Sequence, residues 1–346
     1  MLYKQNTFHL VLGLLFIICS LNSSFAQQLS ARVVNEKSEP LTGATVYFDG
    51  TTTGVITNLD GVFNIDIPEN SSSPVLVITY LGYESITESD LNNLKDVYRL
   101  KPKPVDLDEV NIYQSPFSRS AMLEVFKTYF LGSGKGAKRC KILNIDDVIL
   151  YYTDLNTLKA KSSFPVVIQN NYLGYRVIFD LRIFEVKYST QSLDDRFLLE
   201  SFYAGTSLFE DISPLKNRLR TQIYNTSLNK FFKSLVEDNL KETDFILAYK
   251  GNELEHQEVF EIQPVEGDLY QISLKPEVYE TENGEFIPTK IILKHFFDIS
   301  NILFLEPHIR VDQYGNNRDI KNIRLIGELS SRRIANMLPT NFSVEN

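Results

Sequence analysis

The chain has only two cysteines, four histidines and three methionines in 346 residues, and it has no tryptophan. Cys19 and His9 fall in an N-terminal apolar stretch, so a chain that loses this stretch keeps one thiol, Cys140. One thiol makes no intramolecular disulfide; a disulfide-stapled scaffold is excluded and apolar burial must hold the fold. Long apolar runs are also missing. After residue 26 nothing approaches the roughly 18 uncharged residues of a membrane helix. Positive charge is in deficit: 35 Lys and Arg against 44 Asp and Glu give a formal charge of −9. That balance suits solubility and is a poor match for nucleic-acid phosphates. Phe and Tyr are plentiful, at 23 and 18, and they fit half-buried sheet surfaces. The length allows two domains with ordinary cores.

The first 26 residues read as an export signal. Lys4 supplies a positive charge, Phe8 to Cys19 form an apolar run of about a dozen residues, and Ser24-Phe25-Ala26 has the small-x-small pattern of a cleavage site. The expected mature start is Gln27. A lipid-modified Cys19 is the competing reading; Ile18 stands before it where lipidation sites favour a small residue.

From Pro40 to Tyr83 short runs alternate apolar and polar residues between turn signals, the pattern of a small antiparallel sandwich. Val46 and Phe48 share one strand face; Phe63, Ile65 and Ile67 share another. Asn58-Leu59-Asp60-Gly61 is expected to close a hairpin with a bulge, Gly61 taking positive φ and Asp60 bonding its own backbone.

These residues also carry a resemblance. Pro40-Leu41-x-Gly43-Ala44-x-Val46, then Gly54, Thr57, Gly61, Phe63 and Leu81-Gly82-Tyr83, resemble the carboxypeptidase-like regulatory domain of Bacteroidota envelope proteins. The resemblance implies a transthyretin-like β-sandwich, a non-catalytic appendage that often precedes outer-membrane receptors. Further segments resemble envelope proteins carrying the same module: Phe130-Leu131-Gly132 with Ala137, Cys140, Ile142 and Leu143; Leu173-Gly174-Tyr175; and Arg333-Ile334-Ala335 with Leu338-Pro339. That group brings no activity to any residue here.

The sandwich is expected to span 28–101 and to fold as its own unit, with few contacts crossing its boundary. Lys101-Pro102-Lys103-Pro104 begins a connector, 102–117, in which Val105 to Tyr113 reads as an edge strand. Residues 118–346 then read as an α+β domain with a helical insertion. Ser118 or Ser120 is placed to cap a helix over Ser118 to Phe130. Strands are expected over 147–153, 165–169 and 174–189. In the last, Tyr175, Val177, Phe179, Leu181 and Ile183 point one way, and Arg176, Asp180 and Arg182 mostly the other. Ser213-Pro214 opens a helical region to about Leu240, broken near Asn225-Thr226. Strands return over 259–262, 270–274, 289–297, 302–311 and 323–328.

Motifs for chemistry are weak. His256, His295 and His308 lack the spacing that puts zinc ligands on one face, and a zinc hydrolase is not expected. His256, in a charged loop, reads as solvated, and His295 as a sheet residue. Gly132-Ser133-Gly134-Lys135-Gly136 fails as a phosphate loop, because Tyr129 and Gly136 stand where Gly and Ser or Thr are required; it reads as a helix cap and turn. Cys140, beside Lys138, Arg139 and Lys141, has no base assigned by motif and reads as a small buried residue. Asp146-Asp147 and Asp194-Asp195 read as turns. Asp106, Asp108 and Glu109 lack the glycine turn of a calcium loop.

No catalytic, cofactor-binding or metal residue is therefore assigned. The expected protein is a non-enzymatic binding or assembly factor, exported to the periplasm, the outer membrane or the cell surface. Its expected partner is a protein or glycan of the cell envelope, with no nucleic acid and no membrane span in the mature chain. The alternative is an envelope hydrolase, peptidase or glycan-active, whose site joins sequence-distant residues of the second domain. A cleft clustering carboxylates or histidines would favour the hydrolase; an apolar patch or an exposed sheet edge would favour binding.

Overall fold

The computed structural model describes residues 28–68, 74–91, 94–103, 115–265, 267–296 and 298–344. The leader with its cleavage site, the strand expected over 105–113 and its acidic cluster lie outside the described residues. Among the described residues no helix is long and apolar enough to cross a membrane.

Residues 28–103 form a two-sheet sandwich. Strands β1 (Gln28–Val34), β2 (Thr45–Phe48), β3 (Gly54–Ile56), β4 (Val62–Asp66), β5 (Leu76–Thr79), β6 (Ile86–Glu88) and β7 (Val97–Arg99) arrange as β4-β1-β7 and β3-β2-β5-β6. All pairs are antiparallel except β1 with β7, which is parallel. Val46, Phe48, Phe63 and Ile65 are buried between the sheets, as their alternation requires, with Ile67 packed against them.

The turn at 58–61 departs from the sequence expectation. It joins β3 of one sheet to β4 of the other, so it is a corner between sheets, not a hairpin. Asn58, not Asp60, organises it: Asn58 Oδ1 accepts from the N–H of Asp60 and of Val62. Gly61 does take positive φ, +72°, and a Cβ there would lie 2.5 Å from Val33 O.

The boundary is also richer in contacts than expected. Tyr47, whose neighbours Val46 and Phe48 face the sandwich core, is itself buried with Val77 against Leu208 of the following unit. Gly50 N–H donates to Ser207 O at 2.7 Å, Ser207 N–H to Asp49 Oδ1 at 2.7 Å, and Phe209 N–H to Thr51 O at 2.9 Å. Burial raises the Asp49 carboxyl above the usual carboxylate range, against the pull of the Ser207 and Gly50 N–H groups.

Beyond the connector the chain gathers around two hydrophobic clusters. In the first, helix α1 (Arg119–Leu131), capped by Ser118, packs on a sheet of β8 (Cys140–Ile142), β9 (Val148–Tyr152), β10 (Thr157–Ser162), β11 (Val166–Asn170), β12 (Tyr175–Tyr188) and β13 (Leu198–Asp211). A short turn, α2 (Gly134–Ala137), follows α1. Strand β12 pairs with β13 on one edge and with β11 and β10 on the other. A bulge between Leu181 and Ile183 shifts its alternation. Ile183 therefore ends 43% exposed instead of joining the inner face, and Phe184, Val186 and Tyr188 take over inside. Opposite the bulge sits Gly205, where a Cβ would overlap Asp180 O and the Phe179 ring.

Helices α3 (Asn217–Asn225) and α4 (Leu228–Val236) form the insertion, broken at Thr226-Ser227. Pro214 opens a 3-10 turn before α3, but Ser213 makes no side-chain cap bond. The second cluster joins α4 to the sheet β15-β14-β20-β21-β23 and the sheet β16-β17-β22. Its strands are β14 (Phe245–Tyr249), β15 (Asn252–Leu254), β16 (Phe260–Pro264), β17 (Leu269–Leu274), β20 (Thr289–His295), β21 (Asp298–Phe304), β22 (His308–Asp312) and β23 (Ile323–Gly327). A small hairpin of β18 (Thr281–Glu282) and β19 (Glu285–Phe286) and the turns α5 (His256–Val259) and α6 (Glu328–Ser331) complete it. The strand expected over 302–311 is two strands, interrupted where Glu306-Pro307 cannot continue a ladder. Val259 closes the α5 turn instead of opening a strand.

Candidate functional site

The residues weighed for chemistry do not converge. His256 corrects the solvated reading: it is 2% exposed, with Nε2 2.7 Å from Asp238 Oδ1 and Nδ1 buried without a hydrogen-bond partner among the described residues. His295 ends β20 with its ring between Phe245 and Phe296, and His308 lies exposed on β22. Cys140 is half-buried at the start of β8, and burial pushes its thiol up to about 12, the inert form for a nucleophile. Asp147 ends a 3-10 turn, and Asp194 caps the next one by accepting from Arg196 N–H. The Arg196 hydrogen bonds hold Asp194 down at about 2. Gly132 ends α1, its N–H donating to Thr128 O. Among the described residues no group of three or more His, Cys, Asp or Glu is placed to hold a metal ion.

What the fold builds instead is a cleft of about 630 Å³ where α3, α4 and β13 meet the C-terminal segment 332–344. The α3–α4 break supplies one wall. Thr226 Oγ1 donates to Ile223 O and ends α3; Ser227 Oγ accepts from Lys230 N–H and starts α4. Phe231, Phe232 and Leu235 then turn into the second cluster, leaving Lys230 and Lys233 on the cleft side. Tyr224 meets Phe342 across the opening, ring centres 6.0 Å apart.

The opposite wall is the C-terminal segment. Arg332 Nη1 donates to Thr226 O at 2.7 Å, tying it to the helix break. Ile334 and Ala335 are fully buried, and Asn170 Nδ2 donates to Ala335 O at 3.1 Å. Arg333 Nε donates to Ser330 O and Nη2 to Ser201 Oγ, and the guanidinium lies 5.7 Å from the Tyr203 ring centre. Burial pushes the Tyr203 hydroxyl up to about 12, with Arg333 opposing. Thr340 N–H reaches Gly50 O of the sandwich at 2.7 Å. A third side comes from the loop after β22. Fully buried Asp312 accepts from the N–H groups of Tyr314 and Asn316 and from Arg318, and Asn229 Nδ2 donates to Asn316 Oδ1.

Among the described residues no Asp, Glu or His lines this cleft, in a chain of net charge −9. Of its four cations, Arg332 is engaged by Glu328 and Asp298, and Lys233 lies 3.5 Å from Glu237. Sequence reasoning did not assemble this site, because its walls lie more than a hundred residues apart. The one available signal was the closing Arg333-Ile334-Ala335 and Leu338-Pro339 segment, whose Arg333, Leu338 and Pro339 line it.

Residues 29–112 match the family model of the CarboxypepD_reg-like domain. The N-terminal unit is a CarboxypepD_reg-like domain. The match continues beyond Lys101 into the connector. A 63-residue stretch, 18% of this chain, is 36% identical to the TonB-dependent receptor SusC of Bacteroides thetaiotaomicron and covers 6% of that receptor. The chain thus spans a small part of that receptor's length, and its CarboxypepD_reg-like domain packs on the following unit through Tyr47, Asp49 and Gly50.

Proposed function

We propose that this chain is a non-enzymatic binding or assembly protein of the Bacteroidota cell envelope, exported to the periplasm or the outer membrane, with the cleft as its ligand seat. The CarboxypepD_reg-like domain and the partial likeness to an envelope receptor support the address. One observation carries the binding role: the cleft is walled by aromatic, aliphatic, amide and cationic side chains, with no carboxylate or imidazole among the described residues to act as general acid or base. In that reading the CarboxypepD_reg-like domain is a structural partner that braces the cleft wall through Gly50 and Thr340.

Site-specific photocrosslinking in cells tests this. A photoreactive residue replacing Asn229, exposed at the cleft, is expected to give a discrete envelope adduct. The same residue replacing Leu215, 94% exposed elsewhere, is expected to give none. The adduct should survive chelator and Cys140→Ser. Adducts from position 215 alone, or loss of the adduct with chelator while the fold is kept, would overturn the reading.

A further inference from the structure

We infer that the cleft takes a small amphiphilic anion: one carboxylate or phosphate head on an apolar body. This rests on the cleft being the ligand seat and adds the chemistry of what sits there.

The head group follows from the cations. Lys230 has no hydrogen bond or ion pair from its ammonium among the described residues. Arg333 is fixed by Ser330 O, Ser201 Oγ and the Tyr203 ring, and its Nη1 makes no hydrogen bond among those residues. A positioned guanidinium with a spare N–H, together with an ammonium, favours an oxyanion. With no acid among the described lining residues, none of them competes for either group, and the cations repel a cationic ligand. The body follows from the remaining lining. Leu228, Leu329, Met337, Leu338 and Val344 supply apolar surface, and Tyr224 with Phe342 covers one side. A volume of about 630 Å³ suits a ligand of a few tens of atoms, not a polymer.

The test is calorimetric titration of the full chain with octanoate, octyl phosphate, octan-1-ol and octylammonium. Saturable one-to-one binding is expected for at least one of the two anions, with octan-1-ol at least tenfold weaker and octylammonium silent. Tighter octanoate indicates a fatty-acid-type head, and tighter octyl phosphate a phospholipid-type head. Lys230→Gln, which removes no hydrogen bond or ion pair among the described residues, should weaken the anion about tenfold at unchanged melting temperature, and Arg333→Gln should do at least as much. Octan-1-ol binding as tightly as the anions, or an unaltered Lys230→Gln isotherm, would overturn the inference. If neither anion binds while the crosslink from position 229 persists, the anion assignment falls and the ligand seat stands. If both are lost, both readings fall.

Discussion

Tyr47 Oη and Thr206 Oγ1 lie 2.8 Å apart although 159 residues separate them in the chain. This bond joins the outer face of the sandwich to β13. Burial raises the Tyr47 hydroxyl, which therefore stays protonated in the interface. Tyr47→Phe should remove one hydrogen bond and cost about 1 kcal/mol. Leu208→Asp should cost more, because it places a charge against Tyr47 and Val77. Hydrogen exchange read residue by residue should show 75–77 and 206–209 losing protection together in Leu208→Asp. Unchanged protection there would mean that the two units do not dock through this face.

Gly61→Val should destabilise the sandwich. The backbone is at φ +72°, and a Cβ would press on Val33 O, the carbonyl that also accepts from Leu41 N–H. A cost on the order of 1 to 3 kcal/mol is expected, read as a lower denaturant midpoint for the full chain with the slope retained. A midpoint equal to the native one would show that this corner relaxes freely.

Arg220 is 2% exposed and stacks 3.8 Å from the Tyr175 ring centre, while its guanidinium holds Asp211, Leu173 O and Gly174 O. Arg220→Met keeps the stem and loses the fork, and should cost about 3 kcal/mol. The Arg220 hydrogen bonds hold the Asp211 carboxyl below the usual range. The depressed folded-state value means that Asp211 contributes stability above the ordinary Asp value of about 4, and that this contribution is lost as pH falls toward the lower folded value. Native protein should therefore lose stability on acidification more steeply than Asp211→Asn. Parallel pH–stability curves would refute the linkage.

Cys140 should resist modification. With the thiol pushed up to about 12, the thiolate fraction at pH 8 is roughly a thousandfold below that of an ordinary cysteine. Labelling by a disulfide reagent should be slow in the native chain and fast in denaturant. Rapid native labelling would show that the thiol is exposed and ionised.

Local pattern made much of this architecture legible. The alternation of Phe63 and Ile65 and of Tyr175 through Leu181 marks inner faces, and of the two candidate caps, Ser118 and Ser120, the structure uses Ser118. Features that depend on distant partners were not legible. Strand β13, Leu198–Asp211, escaped notice because its exposure hardly alternates; both of its faces meet other elements. Ile183 was assigned inward because a bulge leaves no mark in the composition, although Gly205 opposite it is what the bulge requires. His256 looked solvated among Glu253, Glu255 and Glu258, yet a single helical turn rotates it inward onto Asp238. The cleft was invisible for the same reason: no single stretch contains it.

The doubly covered strand β2 bears on the order in which the chain is made. Its inner residues Val46 and Phe48 can be buried as soon as the sandwich closes, but Tyr47 and Val77 wait for Leu208, and Gly50 waits for Thr340. During N-to-C synthesis, a sandwich that folds first would carry a bare apolar patch until some 130 further residues have emerged after Val77. A holding chaperone would find its target on this patch, and a chain stopped before residue 206 would keep the patch uncovered.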